Sequence, residues 1–560
     1  MAAVHLLQVR LLWGRRQRFN GSIPTRLPGQ LAAGSVTGRM AERETPRMNG
    51  AESLVHTLLR SGVDTCFCNP GTSEMHFVAA LDRIPGMRCV LGLFEGVVTG
   101  AADGYARMSG RPAATLLHCG PGLANGLANL HNARRALTPI VNIVGDQATY
   151  HRPLDAPLTA DTEGWARGAS AWVRTAATSA TVGVDAAVAV QAARTYPGQI
   201  ATLILPSDTS WDAGGIVADA LPVPPAPCSD PAQVSNAARM LRRGEPTVLM
   251  LGGNAVSSPQ ALELAHRVAA ATGARLMAQG SNGRLARGRG RVPIDRVPYV
   301  VDVAIKALAG TRQMILVGAR KPVTFFAYPN KPGTSVPPDA DVHTLARPDQ
   351  DAAEALARLV EELGAPRVAL PDPGPRPIAA RGVPQPEAVA ATVAALLPEG
   401  AVIVDEAVSF GRGFFPLTYA AAPHDWLAGT GGAIGSGPPL ATGAAIGAPG
   451  RRIVNLQADG SAMYTLQALW TQARENLDVT TILLSNRKYQ ILLGELANVG
   501  ANPGRTALDM MDLGNPDIDW TRLASGMGVE AARAETCEAL GDLLAQSIAR
   551  KGPFLIELAI

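Results

Sequence analysis

A chain of 560 residues, 47% of them hydrophobic, has ample apolar material for several packed cores, and its length predicts three or four domains. No stretch approaches the ~18 uninterrupted apolar residues that a membrane-crossing helix needs, so no membrane partner is expected. The net charge of +3 originates in the first 41 residues, where Arg10, Arg15, Arg16, Arg18, Arg26 and Arg39 stand without an Asp or Glu; the remainder is mildly acidic, lacks a basic stripe, and argues against nucleic acid as a partner.

In chain order, residues 1–47 read as a dispensable leader expected to be disordered. An organellar presequence has this Arg-rich, acid-free composition, and so does a translated stretch ahead of a start at Met40 or Met48. A secretory signal fits poorly, because Gln8 and Arg10 interrupt Leu6 to Trp13. The expected location is cytoplasmic, with organellar import the alternative. Six cysteines (Cys66, Cys68, Cys89, Cys119, Cys228, Cys537) show no zinc-type spacing and are expected to be reduced, buried thiols.

Two proline-rich linkers, Ala218 to Ala232 and Ala365 to Pro386, divide the body into domains at 48–215, 233–364 and 387–560. In the first, "GAESLVHTLLRSG" has helical apolar spacing and "VDTCFCNPG" reads as a strand ending in a turn. The second opens on the strand "TVLMLGG"; Ser258 then caps a helix with Pro259 at its first position, running to Thr272 and stopped by Gly273. The third gives the strand "RRIVNLQ", a helix from about Ser461 to Glu475, and the strand "VTTILLS". Strand and helix alternate throughout, which predicts three open α/β domains with mostly parallel sheets.

Ligands of such sheets collect at the carboxyl ends of strands. Asp459 follows one strand and Asn486, 27 residues later, follows the next, so a carboxylate and an amide oxygen share a rim. That donor set suits Mg²⁺ completed by phosphate oxygens, and Gly460 and Ser461 open a helix whose free N–H groups favour a phosphate. Taken singly, Asp459 is an ordinary N-cap and Asn486 an ordinary turn residue. Glu95 likewise follows an apolar run and precedes a helix in "CVLGLFEGVVTGAADGYARMSG".

Together, "ADGS" and "SN" resemble the thiamine diphosphate signature of the superfamily that contains pyruvate decarboxylase, acetolactate synthase and benzoylformate decarboxylase, although Ala458 and Ser485 depart from its usual Gly and Asn. The resemblance implies thiamine diphosphate and Mg²⁺ as cofactors, with Asp459, Asn486 and the Lys488 carbonyl as metal ligands. It implies three domains: pyrimidine-binding, central Rossmann-like, and diphosphate- and Mg-binding. "EGVVTGAADGYAR" is similar to the motif of the catalytic glutamate, which makes Glu95 the acid at the cofactor's pyrimidine ring. "GTGGAIGSGPP" resembles the segment whose bulky residue bends the cofactor, implicating Ile434, and "VDEAVSF" the loop that presents a hydroxyl to the diphosphate, implicating Ser409.

"NPGTSEMHF" and "LLHCGPG" are similar to benzoylformate decarboxylase, placing Thr72 at its substrate-carboxylate position and His118 at its proton-relay position. Its second histidine is missing from "KPVTFFAYPN", which offers Phe325 and Phe326, and its aromatic substrate wall is replaced by "LLGELANVG". "CGPGLANGLAN" also resembles acetolactate synthase, but no stretch argues for the FAD those enzymes keep. The leading expectation is decarboxylation of a small-molecule 2-oxo acid, the alternatives being an acetolactate synthase-like carboligase and a non-catalytic cofactor-binding homologue. Because Glu95 and Asp459 lie in different domains yet must meet one cofactor, the family's solution is expected: a homodimer, or a homotetramer of such dimers, with sites shared between subunits.

Overall fold

A computed structural model describes residues 48–560; the expected leader, 1–47, lies outside the described residues. The first sheet is six-stranded and wholly parallel, in the order Arg88–Leu91, Thr65–Asn69, Ala113–Leu117, Ile140–Asp146, Ile200–Pro206, Trp172–Thr175. The central five-stranded sheet is also parallel, with Thr247–Leu251 and Gln313–Val317 at its heart. The third runs Glu530–Ala534, Phe554–Ala559, Val479–Ser485, Ile453–Ala458, Val402–Glu406, His424–Ala428, Leu285–Arg287.

The central strands form where the chain places runs rich in β-branched and aliphatic residues. "IVNIVGD" and "VTTILLS" are buried at every position, as strands covered on both faces by helices must be. The Pro259–Thr272 helix is capped by the Ser258 side chain and ended by Gly273 at φ +74°, as expected. Both proline-rich stretches are irregular until Pro231 and Pro386 begin new helices. Among the described residues no helix is long and apolar enough to cross a membrane.

Two expectations need correction, while the mostly parallel order holds. The third sheet's one antiparallel pair among the described residues joins Leu285–Arg287, from the middle of the chain, to His424–Ala428. Charge explains the join: Arg284 grips Asp425 through Nε at 3.0 Å, and the fully buried Arg287 guanidinium lies 3.4 Å above the Phe415 ring while donating to the Phe415 carbonyl. The helix expected from Ser461 to Glu475 is two pieces, Asp459–Ala462 and Ala468–Arg474. Thr465 donates its hydroxyl to the Gly435 carbonyl at 2.8 Å, tying the break to a neighbouring loop. All six cysteines are free, but Cys89, on an edge strand, and Cys228, in the first linker, are exposed rather than buried.

Two helices lock the first and third sheets together. Glu95–Ser109 and Gly437–Gly447 touch backbone to backbone: a Cβ on Gly104 would lie 2.1 Å from the Leu440 carbonyl oxygen, and one on Gly443 would lie 1.8 Å from that of Ala101. Arg107, paired one turn back with Asp103, donates to the Ala428 carbonyl at 2.8 Å. The charged positions of "AADGYAR" thus serve as an interdomain clamp.

Candidate active site

Parallel order brings the carboxyl ends of neighbouring strands to one edge. At the first sheet's edge, Arg88–Leu91 leads to Glu95, Thr65–Asn69 to Thr72 and Glu74, and Ala113–Leu117 to His118. Glu95 is the first residue of its helix, 9% exposed, and accepts from Asn125 Nδ2 at 3.1 Å. A Cβ on Gly122 would lie 3.1 Å from Glu95 Oε1 and 3.4 Å from His118 Cβ, so Glu95 and His118 flank the same glycine. His118 Nδ1 lies 2.8 Å from Glu74 Oε2. Thr72 is exposed beside them; the hydroxyl that reaches His118 is that of Ser73, 3.3 Å from Nδ1.

At the third sheet's edge, Asp459 is 3% exposed and accepts N–H groups from Gly460 and Arg487, each at 2.7 Å. Burial pushes its carboxyl above the ordinary carboxylate range, and no cationic side chain pairs with it among the described residues. An anion buried without a counter-charge fits a divalent cation, and the Asn486 amide lies on the same rim with its Oδ1 accepting from the Lys488 N–H at 3.1 Å. The Gly460 N–H is already given to Asp459, and Ser461 Oγ accepts from Gln457 Nε2 at 2.7 Å while donating to the Ala458 carbonyl.

Ile434 is exposed on the loop that enters Gly437–Gly447, and the Phe325 ring packs over that loop at Gly432. Ser409 stands three residues beyond the strand Val402–Glu406. Glu406, buried, fastens this corner: it accepts from the Ser436 N–H and hydroxyl, both at 3.0 Å, and from the Gly437 N–H and Gln457 Nε2, both at 2.9 Å. No hydrogen bond among the described residues links Glu95 or His118 to Asp459 or Asn486.

The chain matches two family descriptions: "Thiamine pyrophosphate enzyme, N-terminal TPP binding domain" over residues 48–166, and "Thiamine pyrophosphate enzyme, C-terminal TPP binding domain" over residues 413–558. It is 50% identical, over 92% of its length and 99% of the relative, to a Mycobacterium tuberculosis protein named "Putative acetolactate synthase large subunit IlvX". This chain belongs to the thiamine pyrophosphate enzymes. A second relative of this thiamine diphosphate-dependent enzyme, benzoylformate decarboxylase of Pseudomonas aeruginosa, is 31% identical over 90% of the chain and 97% of the relative. Among solved structures, the Rhodococcus jostii thiamine diphosphate-dependent 4-hydroxybenzoylformate decarboxylase superposes with TM-score 0.77 at 26% identity, covering 91% of this chain and 98% of that one.

Sequence reasoning missed Glu74, Ser73, Asn125, Glu406 and Gln457. Glu406 ends a buried strand just as Ala458 precedes Asp459, so the strand-end argument could have found it. Glu74 carried no such signal, since its partner is 44 residues away.

Proposed function

We propose that this enzyme decarboxylates a 2-oxo acid with thiamine diphosphate and Mg²⁺. The observation that carries the reading is the His118 imidazole, backed by a buried carboxylate and sharing Gly122 with Glu95. Asp459, the Asn486 amide oxygen and the Lys488 carbonyl would hold Mg²⁺; the turn at Gly460 and Ser461 and the Ser409 hydroxyl would face the diphosphate. Ile434 would support the bent cofactor, and Glu95 would exchange a proton with its pyrimidine ring. When bound, thiamine diphosphate supplies the electron sink for the reaction.

Over the whole reaction the bond between the 2-oxo carbon and the carboxylate carbon breaks, CO₂ leaves, and a proton takes its place on the 2-oxo carbon, which becomes the carbonyl carbon of the aldehyde. His118 would supply that proton and recover one from water, a task suited to imidazole near neutral pH. Thr72, exposed at the same rim, would meet the substrate carboxylate.

A carboligase is the second reading, favoured by the 50% identity to a relative named for acetolactate synthase. A panel of 2-oxo acids, incubated with thiamine diphosphate and Mg²⁺ and scored for CO₂, aldehyde and coupled products, separates the two. Aldehyde in step with CO₂ supports decarboxylation; a coupled product in place of aldehyde overturns it. The exposed apolar residues Leu93 and Trp165 near the first rim, and Ile434, Tyr464 and Leu492 near the third, support a second copy of the chain covering both. A homodimer, or a homotetramer of such dimers, would then bring Glu95 of one subunit to the metal site of another.

A further inference from the structure

In the first sheet the strands Thr65–Asn69 and Ala113–Leu117 are neighbours, with Asn69 beside Leu117, so the chain leaving each is delivered to the same spot. Glu74 arrives from one and His118 from the other. The Glu74 side chain is 0% exposed and is met by three groups: Oε2 accepts the Gly71 N–H at 2.7 Å and lies 2.8 Å from His118 Nδ1, and Oε1 accepts the Ser73 hydroxyl at 2.5 Å. Two glycines make room for it. A Cβ on Gly145 would lie 1.6 Å from Glu74 Oε1, and one on Gly71 would lie 2.3 Å from the His118 ring. The His118 side chain is 24% exposed, and its Nδ1 edge is the one committed to Glu74 and Ser73.

We propose that Glu74 is a positioning residue that holds His118 with its proton on Nδ1 and so presents Nε2 as the atom that carries protons to and from the substrate. An ionised carboxylate only accepts hydrogen bonds, so the ring nitrogen facing it is the N–H, and the remaining nitrogen of the neutral ring is the base. When Nε2 takes up a proton, the adjacent carboxylate stabilises the resulting cation. Ser73 Oγ also lies 3.0 Å from Cys119 Sγ, and Glu74, His118 and Cys119 have the residue types of a metal site. That hydroxyl, however, lies between the three groups, and burial pushes the thiol up to about 11, so the cluster is a hydrogen-bonded support for the ring.

The catalytic part of this assignment rests on the decarboxylase reading; the position of the proton does not. Glu74→Gln, His118→Ala and the double variant are compared with wild type on the best 2-oxo acid. The expected result for Glu74→Gln is unchanged thiamine diphosphate retention, KM within about twofold, and a kcat loss on the order of 10- to 10²-fold. Because Glu74 acts through His118, the double variant should be no slower than His118→Ala alone. Independent, multiplying losses, or full turnover in Glu74→Gln, overturn the proposal. Should Glu74→Gln fail to fold, Glu74→Asp, which keeps the charge one methylene farther back, must show the same kcat-only loss. Neutron diffraction on the cofactor-loaded enzyme provides a readout without substrate: a deuteron on Nδ1 facing Glu74 is expected, and one on Nε2 with none on Nδ1 overturns the assignment. If wild type releases no CO₂ from any 2-oxo acid, the functional reading falls while the deuteron position still decides the role of Glu74.

Discussion

At the carboxyl edge of the first sheet the buried carboxylate of Glu74 has an imidazole 2.8 Å away, whereas at the matching edge of the third sheet the buried carboxylate of Asp459 meets only backbone N–H groups. Both edges arise from the same strand–helix alternation and both bury an anion. The difference lies in what balances the charge. One edge supplies its own proton-bearing partner and suits proton transfer; the other leaves the charge open and suits a cation from solution. Similar folds can therefore suit different chemistry, the division being made by a few side chains at strand ends.

The sharpest way to break this comparison is to remove the open charge. If Asp459 holds the proposed Mg²⁺, Asp459→Ala should abolish thiamine diphosphate retention, since the diphosphate would lose its counter-charge. Equilibrium dialysis with Mg²⁺ checks this, and wild-type retention would remove Asp459 from the metal site.

Glu95→Gln probes the first edge. It keeps the shape and the Asn125 contact, so cofactor should bind normally while proton exchange at the cofactor's C2 slows by about 10² or more. NMR-monitored exchange in deuterated buffer measures this, and an unchanged rate assigns Glu95 a structural role.

Mixing these two inactive chains asks whether the edges of different subunits cooperate. If sites are shared, half of a randomly re-assorted population is hybrid dimer with one intact site of two, and about a quarter of wild-type activity should return. No recovery after demonstrated subunit exchange, or an active monomer by light scattering, refutes the shared site.

The smallest effect concerns stability. Burial raises the Asp459 carboxyl above its ordinary value of 3.8, so without cation its ionisation opposes folding as pH rises through the folded-state value, while below 3.8 that penalty is absent. Metal-free Asp459→Asn should therefore melt slightly above metal-free wild type at neutral pH, with the gap closing as pH falls below the ordinary carboxylate range. Adding Mg²⁺ and thiamine diphosphate should reverse the order, because only wild type gains from binding. Thermal melts with chelator and with cofactor supply both comparisons.

The amino-acid sequence alone determined where chemistry could stand. Apolar runs marked strand ends, and those ends carry Glu95, Asp459 and Asn486 because a parallel sheet puts its carboxyl termini on one side whatever its strand order, while His118 was singled out by family resemblance. Helix stops such as Gly273 were equally legible, being set by local backbone conformation. Which side chains would meet was settled by the tertiary structure. Glu74 finds His118 only because Thr65–Asn69 and Ala113–Leu117 are adjacent strands; Arg107 finds Ala428, 321 residues on, only because glycines let two helices touch; and Leu285–Arg287 joins the third sheet through Arg284 and Arg287. Periodicity and capping act over a few residues and can be read along the chain, whereas strand neighbours and buried ion pairs depend on how whole domains pack.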